Sequence, residues 1–212
     1  MPKKIKNLKI VVLNICSLLN KKYYLYGLVR NMKEIDIIIV NETWLYKEET
    51  DLFTLPNYDS IFNCRERSKS KPKSRGEGTA IFVNNKLKHQ TLLCKDKLNQ
   101  IVIQLEINKE KFKIATMYRP PNTKVSDFYD ELEQIMHKFD NIINAGDINI
   151  DLLDINDTNA STIKEYQNLI TSYGHKILNT IDIDHATRVT NTSKTIVDHV
   201  FTDMNIYRSE KD

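Results

Sequence analysis

The chain has 212 residues, 41% of them apolar and 28% charged, with five glycines and five prolines, which suits one sizeable core and excludes collagenous or disordered classes. No apolar run approaches the ~20 residues of a bilayer-spanning helix, and the start "MPKKIKNLKI" lacks a signal peptide's apolar middle, so we expect a soluble protein made in the cytosol, with no membrane partner. Cys16, Cys64 and Cys94 are odd in number and free of CxxC pairing, which argues for reduced packing residues over disulfides or structural zinc, while a net charge of +3 decides nothing by itself.

"LKIVVLN" (8–14) reads as a buried strand. A helix follows in which Leu25, Leu28, Val29 and Met32 share a stripe, and "DIIIVNE" (36–42) is a second buried strand. Strand, helix, strand in this order marks a layered α/β arrangement. The segment "RERSKSKPKSR" (65–75) holds Arg65, Arg67, Lys69, Lys71, Lys73 and Arg75 against Glu66 alone. Its local excess of +5, within a total of +3, leaves the rest at about −2. Such a run is most often a solvated loop; the functional reading is an electrostatic arm that follows a DNA backbone.

The pattern then turns to strands: "YDSIFNC", "TAIFVN", "IVIQLEI" and "KFKIATMY". Ile101, Ile103, Leu105 and Ile107 alternate with Val102, Gln104 and Glu106, so one face is wetter and antiparallel neighbours are expected. A second helix is expected from about Val125 to Phe139, with capping oxygens on Ser126 and Asp127. It leads into the strand "DNIINA". A third helix is expected near 161–173, and "TRVT" and "TIVDHVF" supply two last short strands. No repeat, low-complexity stretch or domain boundary interrupts the chain, so 1–212 is read as a single mixed α/β domain.

Polar residues recur where buried strands end: Asn14 closes "IVVLN", Glu42 closes "DIIIVNE", Asp147 and Asn149 follow "NIINAG", and Asp198 interrupts "TIVDHVF". Taken singly each is a cap or turn residue. Four strand ends carrying acids or carboxamides together point to a site. In "NAGDINIDLL" the period of two puts Asp147 and Asn149 on one face, with Ile148 and Ile150 anchoring it, and Asp151 is left as a loop or cap residue.

"LNICSL", "NETW", "MYRPPN", "AGDINIDLL" and "SKTIVDHVF", in this order, resemble the endonuclease/exonuclease/phosphatase superfamily, closest to the apurinic-type endonuclease domains of non-LTR retrotransposons. The resemblance spans about Leu8 to Asp203. It implies a four-layer α/β sandwich of two mostly antiparallel mixed sheets flanked by helices, and magnesium-dependent phosphodiester cleavage, with manganese as an alternative ion and no small-molecule cofactor. By matching position it implies Glu42 as the main metal carboxylate with Asn14 beside it. Asp147 would orient and deprotonate the attacking water, Asn149 hydrogen-bond the scissile phosphate, Tyr118 support the transition state and Thr187 contact a phosphate oxygen. DNA would be the substrate, a reverse transcriptase the neighbour in the parent polyprotein, and the nucleus the place of action.

Asp198 and His199 are adjacent on a strand and point to opposite faces, so only one of them addresses the site. In the family the aspartate here braces a histidine from a later "SDH" motif, which this sequence does not contain. The reading is therefore a domain lacking its last strand and, as an isolated chain, a weak nuclease at best. His199 is expected to be a partly buried strand residue, and His89, His137, His175 and His185 match no family site. A smaller departure is Glu77 in "GEGTA", where relatives carry consecutive glycines. The alternative is a nucleic-acid-binding remnant or host-adopted module that uses the 65–75 arm.

Overall fold

In the computed structural model, residues 8–32, 34–65, 76–95, 99–154 and 157–205 are described. β1 (Ile10–Asn14) and β2 (Ile37–Asn41) lie parallel, in register from Ile10 opposite Ile37 to Asn14 opposite Asn41, with α1 (Lys22–Asn31) carrying the chain between them. β3 (Tyr58–Asn63) and β4 (Thr79–Asn84) complete a sheet in the order β1-β2-β4-β3, antiparallel from β2 onward.

The second sheet starts at β5 (Lys88–Lys95), β6 (Gln100–Ile107) and β7 (Glu110–Thr116), an antiparallel meander. α2 (Val125–Lys138) crosses back so that β8 (Ile142–Asp147) runs parallel to β7. α3 (Asp157–Ser172), the short β9 (Lys176–Ile177), a hairpin of β10 (Arg188–Val189) and β11 (Lys194–Thr195), and β12 (Asp198–Thr202) follow. The sheet order is β5-β6-β7-β8-β12-β9.

Three apolar layers hold these elements together. Ile37, Ile39, Ile81 and Val83 face Ile101, Ile103, Leu105, Ile114 and Ala145 between the sheets. On the outer face of the first sheet, Ile38, Val40, Ala80 and Phe82 pack on Leu25 of α1. On the outer face of the second, Val102, Ala115 and Phe201 pack on Phe128, Leu132 and Ile135 of α2 and Tyr166 and Ile170 of α3. The expected four layers are therefore present, and their residues stem from strict alternation along strands buried on both faces.

Several local expectations are corrected. Met32 lies past the end of α1 and is 47% exposed; of the expected stripe Leu25 is fully buried and Leu28 and Val29 pack partly buried against the same core. The N-cap of α2 is Lys124, without a side-chain cap; Ser126 Oγ donates to Asp127 instead. α3 begins at Asp157, and in "TIVDHVF" the strand starts at Asp198, where pairing with Asp147 of β8 begins. β5, whose bulge between Thr91 and Leu93 blurs its alternation, has no counterpart in the sequence reading. Cys16 and Cys64 are half-buried, but Cys94 is exposed rather than packed.

Candidate active site

β2 ends at Asn41, whose side chain is fully buried. Its Nδ2 donates to Met117 O (3.3 Å) and its Oδ1 accepts from Asp147 N (3.0 Å), so one amide ties the first sheet to the second. Gly146 makes this approach fit: at φ +152 its place allows no side chain, since a Cβ would stand 1.8 Å from Met117 O.

Just past Asn41 the backbone turns left-handed at Glu42 and again at Trp44, both at φ +56. Side-chain-bearing residues adopt this region at a cost of about 1 kcal/mol, and they do so where neighbours over-determine it. Here Thr43 N donates to Gly78 O and Trp44 N to Glu77 O, while the carbonyls of Glu42 and Thr43 accept from Ser17 N and Leu18 N. The partner turn is unusual too, because Gly76, Glu77 and Gly78 all have positive φ. Glu77 thus stands in a conformation suited to glycine.

The turn delivers the Glu42 carboxylate to a cluster. Its Oε1 accepts from Asn14 Nδ2 (2.8 Å) and the Tyr118 hydroxyl (3.3 Å), and its Oε2 from the Trp44 indole (3.3 Å). The same Asn14 nitrogen donates to Asp147 Oδ2 at 2.8 Å, so one amide bridges two carboxylates from different sheets. The Asn14 carbonyl faces the other way, accepting from the Cys16 amide and thiol. Asp147 Oδ1 accepts from Asn149 N at 3.0 Å and Asn149 sits at φ +53, so a tight turn directly after β8 replaces the strand alternation expected from Asp147 to Asn149.

Burial pushes the Asp147 carboxyl up from its usual range, with the Glu42 charge adding to it against the hydrogen bonds from Asn14 and Asn149. Tyr118 is pushed far up by burial and by the charges of Glu42 and Asp147, so its phenol stays a proton donor. Asp198 stands opposite Asp147 in the β8–β12 ladder. Burial, then the Asp147 charge, push it up to about 6, against the Thr187 hydroxyl and Arg188. One of its oxygens, Oδ1, is buried with no partner among the described residues. Thr187 Oγ1 accepts from Val197 N and Asp198 N (3.1 Å each), so this hydroxyl holds the start of β12 in place.

His199 is fully buried, not partly. Burial drives it down to about 4, so it is neutral, and its ring nitrogens meet Tyr166 Oη (2.9 Å) and Ile196 O (3.1 Å). The phenol donates to Nδ1 and Nε2–H donates to the carbonyl, which pins α3 to β12 on the face away from Asp198. Asp151 is a loop brace: its Oδ1 accepts from Leu153 N and Ile196 N.

Arg119, Asn41, Trp44 and Arg188 belong to the site as well. Arg119 is almost fully buried and donates to Ile148 O (2.7 Å), Thr123 O (2.9 Å) and Asn149 O, and Asn149 Nδ2 donates back to Arg119 O at 2.8 Å. The charge of Arg188 reaches Cys16, Asp147 and Asp198. Each lies inside or beside a motif already singled out, but backbone carbonyls as partners leave no trace in a sequence. Of the basic arm, Arg67, Lys69, Lys71, Lys73 and Arg75 lie outside the described residues. Arg65 lies over the Tyr46 ring, 4.2 Å from its centroid.

Two facing sheets between helices, with acid, amide and phenol groups gathered at the ends of β1, β2 and β8, define a protein of the endonuclease/exonuclease/phosphatase fold. Residues 112–212 match the family described as Endonuclease-reverse transcriptase. Among solved structures, the endonuclease domain of TRAS1, a telomere-specific non-LTR retrotransposon, is 13% identical over 92% of this chain and 84% of its own, with a TM-score of 0.66. The AP endonuclease LMAP from Leishmania major is 14% identical over 92% and 79%, also at 0.66. An endonuclease/exonuclease/phosphatase family protein from Leptotrichia buccalis is 17% identical over 93% and 88%, at 0.60. No curated protein matches the sequence.

Proposed function

We propose that the chain is a divalent-metal-dependent phosphodiesterase that nicks DNA, the endonuclease domain of a retrotransposon-derived protein acting in the nucleus alongside a reverse transcriptase. The observation that carries this reading is the pair Glu42 and Asp147, brought from two sheets onto one Asn14 amide. Hydrolysing a phosphodiester calls for a cation at the phosphate, a base for water and donors to developing charge. All three have candidate groups here.

Among the described residues no three His, Cys, Asp or Glu side chains gather to cage a metal by themselves. That suits magnesium, which keeps several waters and takes one or two carboxylates plus substrate phosphate. Glu42 would hold the ion, with Asn14 beside it. Bound there, the ion would neutralise charge developing on phosphorus and on the leaving oxygen. Asp147, raised by burial, accepts the proton of the attacking water. Asn149 spends one Nδ2 hydrogen on Arg119 O and keeps the other for a phosphate oxygen. Tyr118 contributes its hydroxyl hydrogen to the same cluster.

Two further features support the reading. Asp198 Oδ1, without a partner among the described residues, suits a carboxylate that braces another donor. Among the described residues β1 pairs on one side only, with β2, and its five residues are partly exposed.

The test is nicking of supercoiled plasmid. Magnesium-dependent nicking should fall by about 10²–10³-fold in Glu42→Gln and in Asp147→Asn. Nicking that survives chelation, or an Asp147→Asn protein as fast as its parent, overturns the proposal.

A further inference from the structure

The outer face of α1 carries two exposed tyrosines. Tyr23 is 75% exposed and Tyr24 64%. Between Lys21 and Asn31 the sequence carries Lys21, Lys22 and Arg30 and no acid. Lys22 Nζ lies 5.2 Å from the Tyr23 ring centroid. Tyr23 is not loose: it meets Tyr26 edge-on with centroids 6.2 Å apart, Tyr26 stacks on Phe53 at 5.8 Å, and Phe53 contacts Phe82 at 5.5 Å in the core. The ring is thus held at its edge by Tyr26, with the Lys22 ammonium over it.

Gly27 is the second observation. It lies inside the helix, four residues after Tyr23 and three after Tyr24, hence next to both on the surface. A Cβ there would meet nothing within 4 Å. Glycine weakens a helix relative to alanine, and no close packing requires it here. Its missing side chain leaves open surface beside the two exposed rings.

This face is also joined to the cluster of acids. The segment entering α1 is bonded to the Glu42 turn through Ser17 and Leu18, and the Lys21 charge acts on Cys16, whose thiol donates to Asn14. Two exposed rings, open space beside them and a helix whose charged side chains are all basic are the ingredients of a stacking platform for unpaired bases. We infer that the Tyr23–Tyr24 face of α1 holds a single-stranded stretch of the nucleic acid next to the cleaved phosphate, bases against the two rings and phosphates near Lys21, Lys22 and Arg30. It rests on the nuclease reading and names the substrate form that reading leaves open.

The test is fluorescence anisotropy of a labelled dT12 and of a labelled blunt duplex, with chelator present so that nothing is cut. The parent protein should bind dT12 with a marked salt dependence. A Tyr23→Ala/Tyr24→Ala double variant should bind it about ten- to a hundredfold more weakly, as expected for one or two stacked bases, with duplex affinity within about twofold. Gly27→Leu, which fills that open surface with a good helix former, should weaken dT12 binding while raising the melting temperature. A parent that does not bind dT12, a double variant that binds like the parent, equal losses for dT12 and duplex, or an indifferent Gly27→Leu each overturns the inference; a parent without dT12 binding would leave this face to a protein partner. Plasmid nicking by the same proteins separates the two readings: a parent that cuts while its variants bind dT12 unchanged sinks this inference alone, and one that binds through the tyrosines without ever cutting sinks the nuclease reading alone.

Discussion

Replacing Asp198 with asparagine should stabilise the protein while harming its chemistry, and the gain should depend on pH. Asp198 is pushed from 3.8 up to about 6, first by burial and then by Asp147. A carboxyl whose folded pKa lies above its unfolded one favours folding while protonated, and that advantage is lost as pH rises from about 4 through about 6. Two pH units at about 1.4 kcal/mol each make the charged form costlier in the fold by about 3 kcal/mol above pH 7. Asparagine keeps the shape and discards the charge, and one of its polar atoms takes the place of Oδ1, which has no partner among the described residues. Asp198→Asn should therefore melt about 5–10 °C above the parent at pH 8, for a chain of this size, and level with it at pH 4. The assay is a thermal melt across that pH range, in chelator so that no bound cation offsets the repulsion. An equal advantage at both pH values, or none at pH 8, would refute the reasoning.

Glu77→Gly should raise stability by about 0.5–1 kcal/mol, because Glu77 stands at φ +65 between two positive-φ glycines; a lower denaturation midpoint in urea would contradict this. Tyr166→Phe removes the phenol that satisfies His199 Nδ1 in the core, at a cost of about 1–3 kcal/mol. Denaturation with unchanged slope would read that loss, and a variant as stable as the parent would show that the bond contributes nothing.

The layers were legible because they depend on local pattern. "DIIIVNE" and "TAIFVN" are apolar without interruption, and a strand of that kind must be covered on both faces, which makes a sandwich almost unavoidable. The site was legible in part for the same reason: Asn14, Glu42, Asp147 and Asp198 are polar where such strands stop, and the family resemblance supplied expected roles. What alternation could not reveal was everything set by backbone geometry or by partners distant in sequence. Helix ends slipped at Met32 and at Ser126–Asp127, where solvent exposure and an uncapped start replaced the pattern's simple extension.

By itself, then, the sequence determined two covered sheets and acids at their strand ends, since these follow from periods of two and 3.6 read over a few residues at a time. Only the tertiary structure decided that one Asn14 amide spans Glu42 and Asp147, 133 residues apart in the latter case. It alone decided that Asn41 and Arg119 hold the two sheets and the Asn149 turn in place through backbone groups, and that Asp198 has an oxygen without a partner among the described residues, beside a like charge. Hydrogen bonds to a distant main chain and repulsion between buried carboxylates depend on where segments come to rest, and nothing in a local pattern encodes that.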